Sequence, residues 1–196
     1  METKRVADLM IAIQDYPWVY ERQTLKETIE KMSGWQLECD GRKSLPRIVL
    51  VFNKHDKLTG VVRRRDILRG LEPSMLEEKP LRERKRIFDF RVAADVPDMS
   101  KDKWFKGMLE RFQLSYEQLV HGIQERAKRQ VSDVMLPANV TVEAETHFLK
   151  AVYEMVDNNL SLLPVMKGGK VIGVLRSVEV FHEISHMVLD PPDIPE

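Results

Sequence analysis

The chain has 196 residues, 43% hydrophobic and 32% charged, enough apolar material for a sizeable core in a soluble globular protein. Its 31 basic and 31 acidic residues cancel, so no global field favours nucleic acid or an anionic membrane. The apolar runs are too short to span a bilayer, the opening Met1-Glu2-Thr3-Lys4-Arg5 lacks an apolar signal segment, and the single Cys39 cannot form an internal disulfide.

A cytoplasmic location is the expectation. Cys39 stands between Glu38 and Asp40, whose charges disfavour a thiolate, so no reactive role is expected of it.

In chain order, the first clear element is a helix opened by the capping box Thr24-x-x-Glu27, with Leu25, Ile29 and Met32 on one face. Gly34 and the polar stretch Cys39 to Ser44 predict a loop, and Pro46 bars any helix before the next strand. Ile48-Val49-Leu50-Val51-Phe52 is continuous and β-branched, as expected of a strand covered on both faces. Asn53 to Lys57 reads as the turn into a strand over Leu58–Val62. Asp66 then lies in the first turn of a helix ended by Gly70 and Pro73.

A connector follows from about Leu71 to Gln130, far longer than an ordinary loop. Glu77 to Arg86 is densely charged. Trp104, Phe105, Met108, Leu109 and Phe112 form one helical stripe. Ser115-x-x-Gln118 is a second capping box, opening a helix with Tyr116, Leu119, Val120 and Ile123 aligned and expected to run directly to Val131. Both stripes must be covered, by the rest of the chain, by a second copy in a homodimer, or by a separate effector protein docking on 99–130.

Beyond the connector the pattern of the N-terminal half returns. Val6-Ala7-Asp8-Leu9-Met10 is matched by Val131-Ser132-Asp133-Val134-Met135, and the helix ending at Met32 by one ending at Met155. Leu58-Thr59-Gly60-Val61-Val62 is matched by Val171-Ile172-Gly173-Val174-Leu175, with Lys167-Gly168-Gly169-Lys170 as the preceding hairpin turn. The second copy also shows Asn139-Val140-Thr141-Val142 and Leu162-Leu163-Pro164-Val165; the first carries an insertion between Met32 and Ile48. A duplicated unit implies that neither copy buries its apolar face alone, and the cleft between copies is where a ligand is expected.

This repeat resembles the cystathionine-β-synthase (CBS) domain pair. The resemblance implies an α/β fold of tandem CBS domains, two β-α-β-β-α units in pseudo-twofold contact with a helical insertion between them. The expected divisions are copy 1 over 1–70, the charged connector with amphipathic helices over 71–130, copy 2 over 131–190 and a tail over 191–196. It also implies a regulatory, non-catalytic, homodimeric module that needs no cofactor and senses an adenine nucleotide or related adenosyl compound in the cleft.

In nucleotide-binding members the last strand and helix carry Gly-φ-φ-Thr/Ser-x-x-Asp, φ being apolar, with the Asp on the ribose hydroxyls. Here the first copy has Gly60, Arg63 and Asp66, and the second has Gly173, Arg176 and Glu179. Both place Arg where the family has Thr or Ser. Arg63 and Arg176, with Arg64 and Arg65 nearby, could bond a phosphate; equally, they could pair with Asp66 and Glu179 and close the pockets, leaving a scaffold or interaction protein. The resemblance places an adenine near Val140 and Pro164 in the second copy, with Trp18, Val19 and Val51 in the corresponding region of the first.

His182-Glu183-Ile184-Ser185-His186 matches H-E-x-x-H, the helical zinc signature of metal-dependent hydrolases. The segment falls in the terminal helix, whose expected apolar face is Val180, Phe181, Ile184, Met187 and Val188, with the histidines on the polar face beside Glu179 and Glu183. No third ligand follows, so a solvated face is the expectation. The run Arg63-Arg64-Arg65 with Arg69 is interleaved with acids and matches no nucleic-acid reading motif.

Overall fold

The computed structural model describes residues 4–39, 41–71 and 116–189. Its helices are α1 (Val6–Leu9), α2 (Leu25–Gly34), α3 (Arg64–Leu71), α4 (Tyr116–Arg126), α5 (Phe148–Asp157) and α6 (Ser177–Leu189). The strands are β1 (Ile11–Ala12), β2 (Trp18–Tyr20), β3 (Leu37–Cys39), β4 (Arg42–Ser44), β5 (Ile48–Phe52), β6 (Leu58–Arg63), β7 (Leu136–Pro137), β8 (Val142–Glu143), β9 (Leu162–Lys167) and β10 (Lys170–Arg176). The stripe Trp104 to Phe112 and the charged run Glu77 to Arg86 lie outside the described residues.

Two four-stranded sheets form, ordered β2-β5-β6-β7 and β8-β9-β10-β1. Each contains one strand from the other copy. Leu136 and Pro137 pair with Val61 and Gly60, and Ile11 and Ala12 pair with Val174 and Gly173. The backbone repeats the same bonds on both sides: Val6 N–H donates to Thr146 and Ala7 to Ala144, as Val131 does to Gln23 and Ser132 to Glu21. This pseudo-twofold makes Val6 equivalent to Val131, and each crosses into the other half.

The cores follow that exchange. Val6 is fully buried with Val142, Ala151, Leu163 and Leu175 under α5 and α6. Val131 is fully buried with Val19, Leu25, Val49, Val51 and Ile67 under α2 and α3. Between the sheets lies a third cluster drawn from both copies, containing Tyr16, Leu37, Leu50, Phe52, Leu162 and Val174. Leu50 and Phe52 thus face the partner sheet while Val49 and Val51 face the helices, which is why β5 is apolar at every position.

The capping box on α2 forms as expected, with Glu27 N–H bonded to Thr24 Oγ1 and Thr24 N–H to the Glu27 carboxylate. Three expectations are corrected. The stretch read as a loop is the β3–β4 hairpin, because Leu37 is buried between the sheets and Gly41 turns the chain at φ +70°. Gly70 does not end α3 but lies within it, where a Cβ would meet Val134 and Leu25 at 2.7 and 2.9 Å. Helix α4 stops at Arg126 instead of running to Val131, and the carbonyls of Ala127 and Arg129 accept the free N–H groups of Lys26 and Leu25 at the start of α2. None of the α4 side chains is buried by the described residues, and Tyr116 is 77% exposed.

Candidate functional site

The strand-to-helix junctions at Arg63 and Arg176 place a guanidinium and a carboxylate three residues apart. At the first, Asp66 is the third residue of α3, and its Oδ2 accepts the Arg63 backbone N–H at 3.1 Å, as the acid of a capping box does. The same carboxylate takes Arg63 Nε at 2.7 Å and Nη2 at 2.8 Å, a bidentate fork. Burial alone would raise the Asp66 carboxyl; the side-chain and backbone hydrogen bonds and the charge of Arg63 overcome this and hold it below the usual carboxylate range. Arg64 is turned outward from this pair, its Nε donating to the Pro46 carbonyl at 3.0 Å.

The second junction repeats the plan with a longer acid. Arg176 Nε lies 2.9 Å from both Glu179 oxygens, and Nη2 bonds Oε1. Burial works against the guanidinium's charge, but Glu179 more than compensates and raises the Arg176 pKa. Tyr16 sits beside this pair, fully buried, donating its hydroxyl to the Ile48 carbonyl at 2.7 Å. Its burial pushes the phenol well up, with the nearby charges of Arg176 and Glu179 acting in opposite senses. Leu37 on β3 packs in the same buried cluster as Tyr16, so the insertion hairpin lies against this side. Trp35, just ahead of the hairpin, anchors it by donating to the Asp15 carbonyl at 3.2 Å.

Among the described residues the other side of the pseudo-twofold is open. Asn139 precedes Val142 by the same three residues as Tyr16 precedes Val19, so a small amide stands where the other side has a phenol ring. A cleft of about 250 Å³ remains, walled by Val61, Pro137, Val140, Leu160, Leu162 and Pro164, with Asn139 and Asn158 as its polar members. Arg63 follows Val61 by two residues on the same face of β6. Its side chain is 26% exposed against 10% for Arg176, as expected if the first pair borders open space and the second is covered.

The residues singled out from the sequence therefore separate. Val140 and Pro164 line the cleft, and they do so with Val61 of the first copy. Arg63 and Asp66 form one closed pair, Arg176 and Glu179 another. Gly60 and Gly173 serve the crossing strands: a Cβ on Gly60 would stand 2.6 Å from the Leu136 carbonyl oxygen, and one on Gly173 would strike that of Ile11. Val19 and Val51 belong to the helix-side core. Trp18 stands at the sheet edge, edge-on to Tyr20 and Phe52, with Lys31 over its ring at 4.6 Å. Asn139 and Tyr16, which decide which side is open, carry no local motif; aligning the copies on Val19 and Val142 exposes the contrast.

The terminal helix departs from its expected faces. Glu183 is buried, bonded to Lys4 Nζ at 2.6 Å, while Phe181, Met187 and Val188 are exposed. The Lys4 ammonium lets the carboxylate pack inward beside Val180. His182 and His186 place their Nε2 atoms 3.1 Å apart, and among the described residues no three His, Cys, Asp or Glu are grouped to hold a metal ion. Glu183 is committed to Lys4 and is not aligned with the two rings as a base.

Comparison with known proteins agrees with this architecture. The family model for the CBS domain matches residues 6–73 and 131–186, more than half of the chain. The chain belongs to the CBS-domain family, as a tandem pair. Among solved structures it is similar to a putative acetoin utilization protein (AcuB) from Vibrio cholerae, at 16% identity and TM-score 0.57, covering 99% of this chain and 100% of that one. It is also similar to the CBS-pair protein CBSX2 from Arabidopsis thaliana, at 16% identity and TM-score 0.57, covering 96% and 99%. A structure of CBSX2 in complex with AMP matches at 17% identity and TM-score 0.55, covering 94% and 98%. No curated protein matches the chain.

Proposed function

We propose that this CBS pair is a regulatory sensor that takes the nucleoside part of an adenine nucleotide or related adenosyl compound into the inter-copy cleft that the described residues leave open. The observation that carries the reading is the asymmetry of that cleft: Tyr16 and the hairpin occupy one side, while Asn139 leaves the other open. Apolar walls from Val61, Val140, Leu162 and Pro164 suit the faces of a planar base, and the amides of Asn139 and Asn158 can both donate and accept at its edge. The AMP complex of CBSX2 supports the ligand class.

The paired Arg63 and Asp66 give the site a mechanism. A vicinal diol can replace the guanidinium on the Asp66 carboxylate, and the released Arg63 then pairs with the ligand's phosphate. Each charge keeps a partner throughout, which avoids the cost of an isolated buried ion. Because β6 is tied to β7 of the other copy, movement at Arg63 reaches both halves, and ligand shifts the population of inter-copy arrangements. Catalysis is not part of this reading. The output passes through association of the chain with itself, supported by the apolar side chains exposed on α5 and α6.

A second reading rests on the same pairs. If neither Arg63–Asp66 nor Arg176–Glu179 opens, the chain is a CBS scaffold that does not take up a ligand at the cleft. A thermal-shift series with AMP, ADP, ATP, adenosine and S-adenosylmethionine separates the two. A ligand bound only to the native state raises the melting temperature by mass action, and no shift with any of the five at millimolar concentration would leave the scaffold reading standing.

A further inference from the structure

The turns joining β5 to β6 and β9 to β10 are equivalent under the pseudo-twofold, and so are the residues around them. Thr24 pairs with Gln130 as His147 pairs with Arg5, which makes Gln130 equivalent to Arg5 and Arg22 equivalent to Glu145. In the second copy Glu145 is a carboxylate between two cations, bonded to Arg5 and 3.4 Å from Lys167 Nζ. The first copy reverses the central charge. Arg22 replaces Glu145, and the neutral Gln130 and Asn53 replace Arg5 and Lys167.

Where the second copy has that ion-paired knot, the first has a cavity of about 580 Å³ lined by Tyr20, Glu21, Arg22, Asn53, Lys54 and His55. Its frame is fixed locally. Asn53 Oδ1 accepts the backbone N–H groups of His55 at 2.9 Å and Lys57 at 3.1 Å, holding the turn that carries Lys54 and His55. Tyr20 is held by its hydroxyl, which donates to Asp56 at 2.9 Å. Arg22 and Lys54 have no ion-pair partner among the described residues, unlike Arg5 and Lys167 of the second copy's knot. Glu21 is the single acid in the lining.

We infer that this cavity is a second binding site, distinct from the inter-copy cleft, for a small phosphate-bearing anion with at least two negative charges. The ligand's oxygens take the role that the Glu145 carboxylate plays in the second copy. Arg22 presents a planar fork that matches phosphate oxygens in pairs, and Lys54 adds a point charge. The volume lies in the range of small-molecule sites. A concave surface of six residues fits a compact anion better than the extended phosphate track of a nucleic acid.

Inorganic pyrophosphate tests the inference, because it lacks the base and ribose that the cleft would read. Its titration into the full chain by calorimetry at low ionic strength, where surface charges are least screened, should show saturable one-to-one binding. Arg22→Glu, which installs the acid of the second copy, should weaken that binding by roughly tenfold or more, and Lys54→Gln should weaken it less. Arg22→Lys should retain most of it. Absence of saturable binding by the wild type, or equal binding by wild type and Arg22→Glu, overturns the site. Should Arg22→Glu not fold, Arg22→Gln decides in the same way. Failure here leaves the adenosyl reading of the cleft untouched, and the reverse also holds.

Discussion

Tyr16 and Asn139 occupy equivalent positions on the two sides of the pseudo-twofold, and only Tyr16 fills its side. Asn139→Tyr should therefore convert the open side into a copy of the closed one. The expected outcome is a folded protein with unchanged circular dichroism that no longer gains melting temperature from any adenine nucleotide. Retained nucleotide stabilisation in this variant would place the ligand elsewhere.

The two carboxylates should differ in their effect on that ligand. Asp66 is paired with Arg63, which shares a face of β6 with Val61 of the cleft wall, and Glu179 belongs to the pair beside Tyr16. Asp66→Ala removes a charged acceptor for the ribose diol and should cost about 1.5–3 kcal/mol, roughly ten- to a hundredfold in affinity. Glu179→Ala should cost little affinity, though it strands a buried guanidinium and should lower stability. Calorimetry and urea unfolding on both variants separate binding from folding.

How much of this was legible beforehand depended on the range of the interaction that fixes each feature. The Thr24–Glu27 box, the Ile48–Phe52 strand and the Gly168-Gly169 turn are local and could be read directly. The duplication identified the fold because each copy preserves element order over dozens of residues. The crossing strands β1 and β7 were invisible, since two residues carry no period, and their positions depend on Val6 and Val131 packing in the opposite half. Gly60 and Gly173 match a ligand motif in the sequence, whereas the close approach of a backbone carbonyl from the other copy accounts for them. The outward turn of Phe181 and the inward turn of Glu183 follow from Lys4, nearly the whole chain away in sequence.

The crossing strands make a prediction of their own. Gly60→Ala would push a methyl group onto the Leu136 carbonyl oxygen at 2.6 Å, and Gly173→Ala would do the same to Ile11. Backbone cannot rotate aside as a side chain can, so each substitution should destabilise by about 1–3 kcal/mol through strand displacement. Both should act without any ligand present, which urea midpoints of the apo protein will show. An Ala variant with wild-type stability but lost ligand response would assign the glycines to binding instead.

Acid should weaken the Asp66 contribution in a defined window. Its folded pKa lies below the ordinary 3.8, so the unfolded chain takes up the proton first as pH falls. The stabilisation is therefore fully present above the unfolded value and is lost as pH drops below about 3.8 through the folded pKa. The stability difference between wild type and Asp66→Asn should be flat from neutrality to about pH 5 and shrink below that window. A difference that grows on acidification would contradict the sign.

The second copy's helices expose more apolar side chains than the first copy's, and this decides how the chain should associate. On α5, Leu149, Tyr153 and Val156 form an exposed stripe, and on the adjoining α6, Val178, Phe181 and Val188 form another. At the equivalent places α2 has Lys26, Glu30 and Ser33, with Lys26 and Glu30 ion-paired, and α3 has Arg65 for Val178 and the exposed Leu68 for Phe181. Each large apolar side chain moved out of water contributes about 1.5–3 kcal/mol, and several together exceed what an isolated chain usually leaves exposed. A homodimer should therefore form through the second copy's helices and leave those of the first copy free. Tyr153→Glu combined with Phe181→Glu should give a soluble monomer by light scattering at unchanged secondary structure. Leu68→Glu, on the exposed side of α3, should leave the dimer intact. If the double variant stays dimeric while Leu68→Glu dissociates, the first copy carries the interface. If the wild type is itself monomeric, the stripe awaits a different partner.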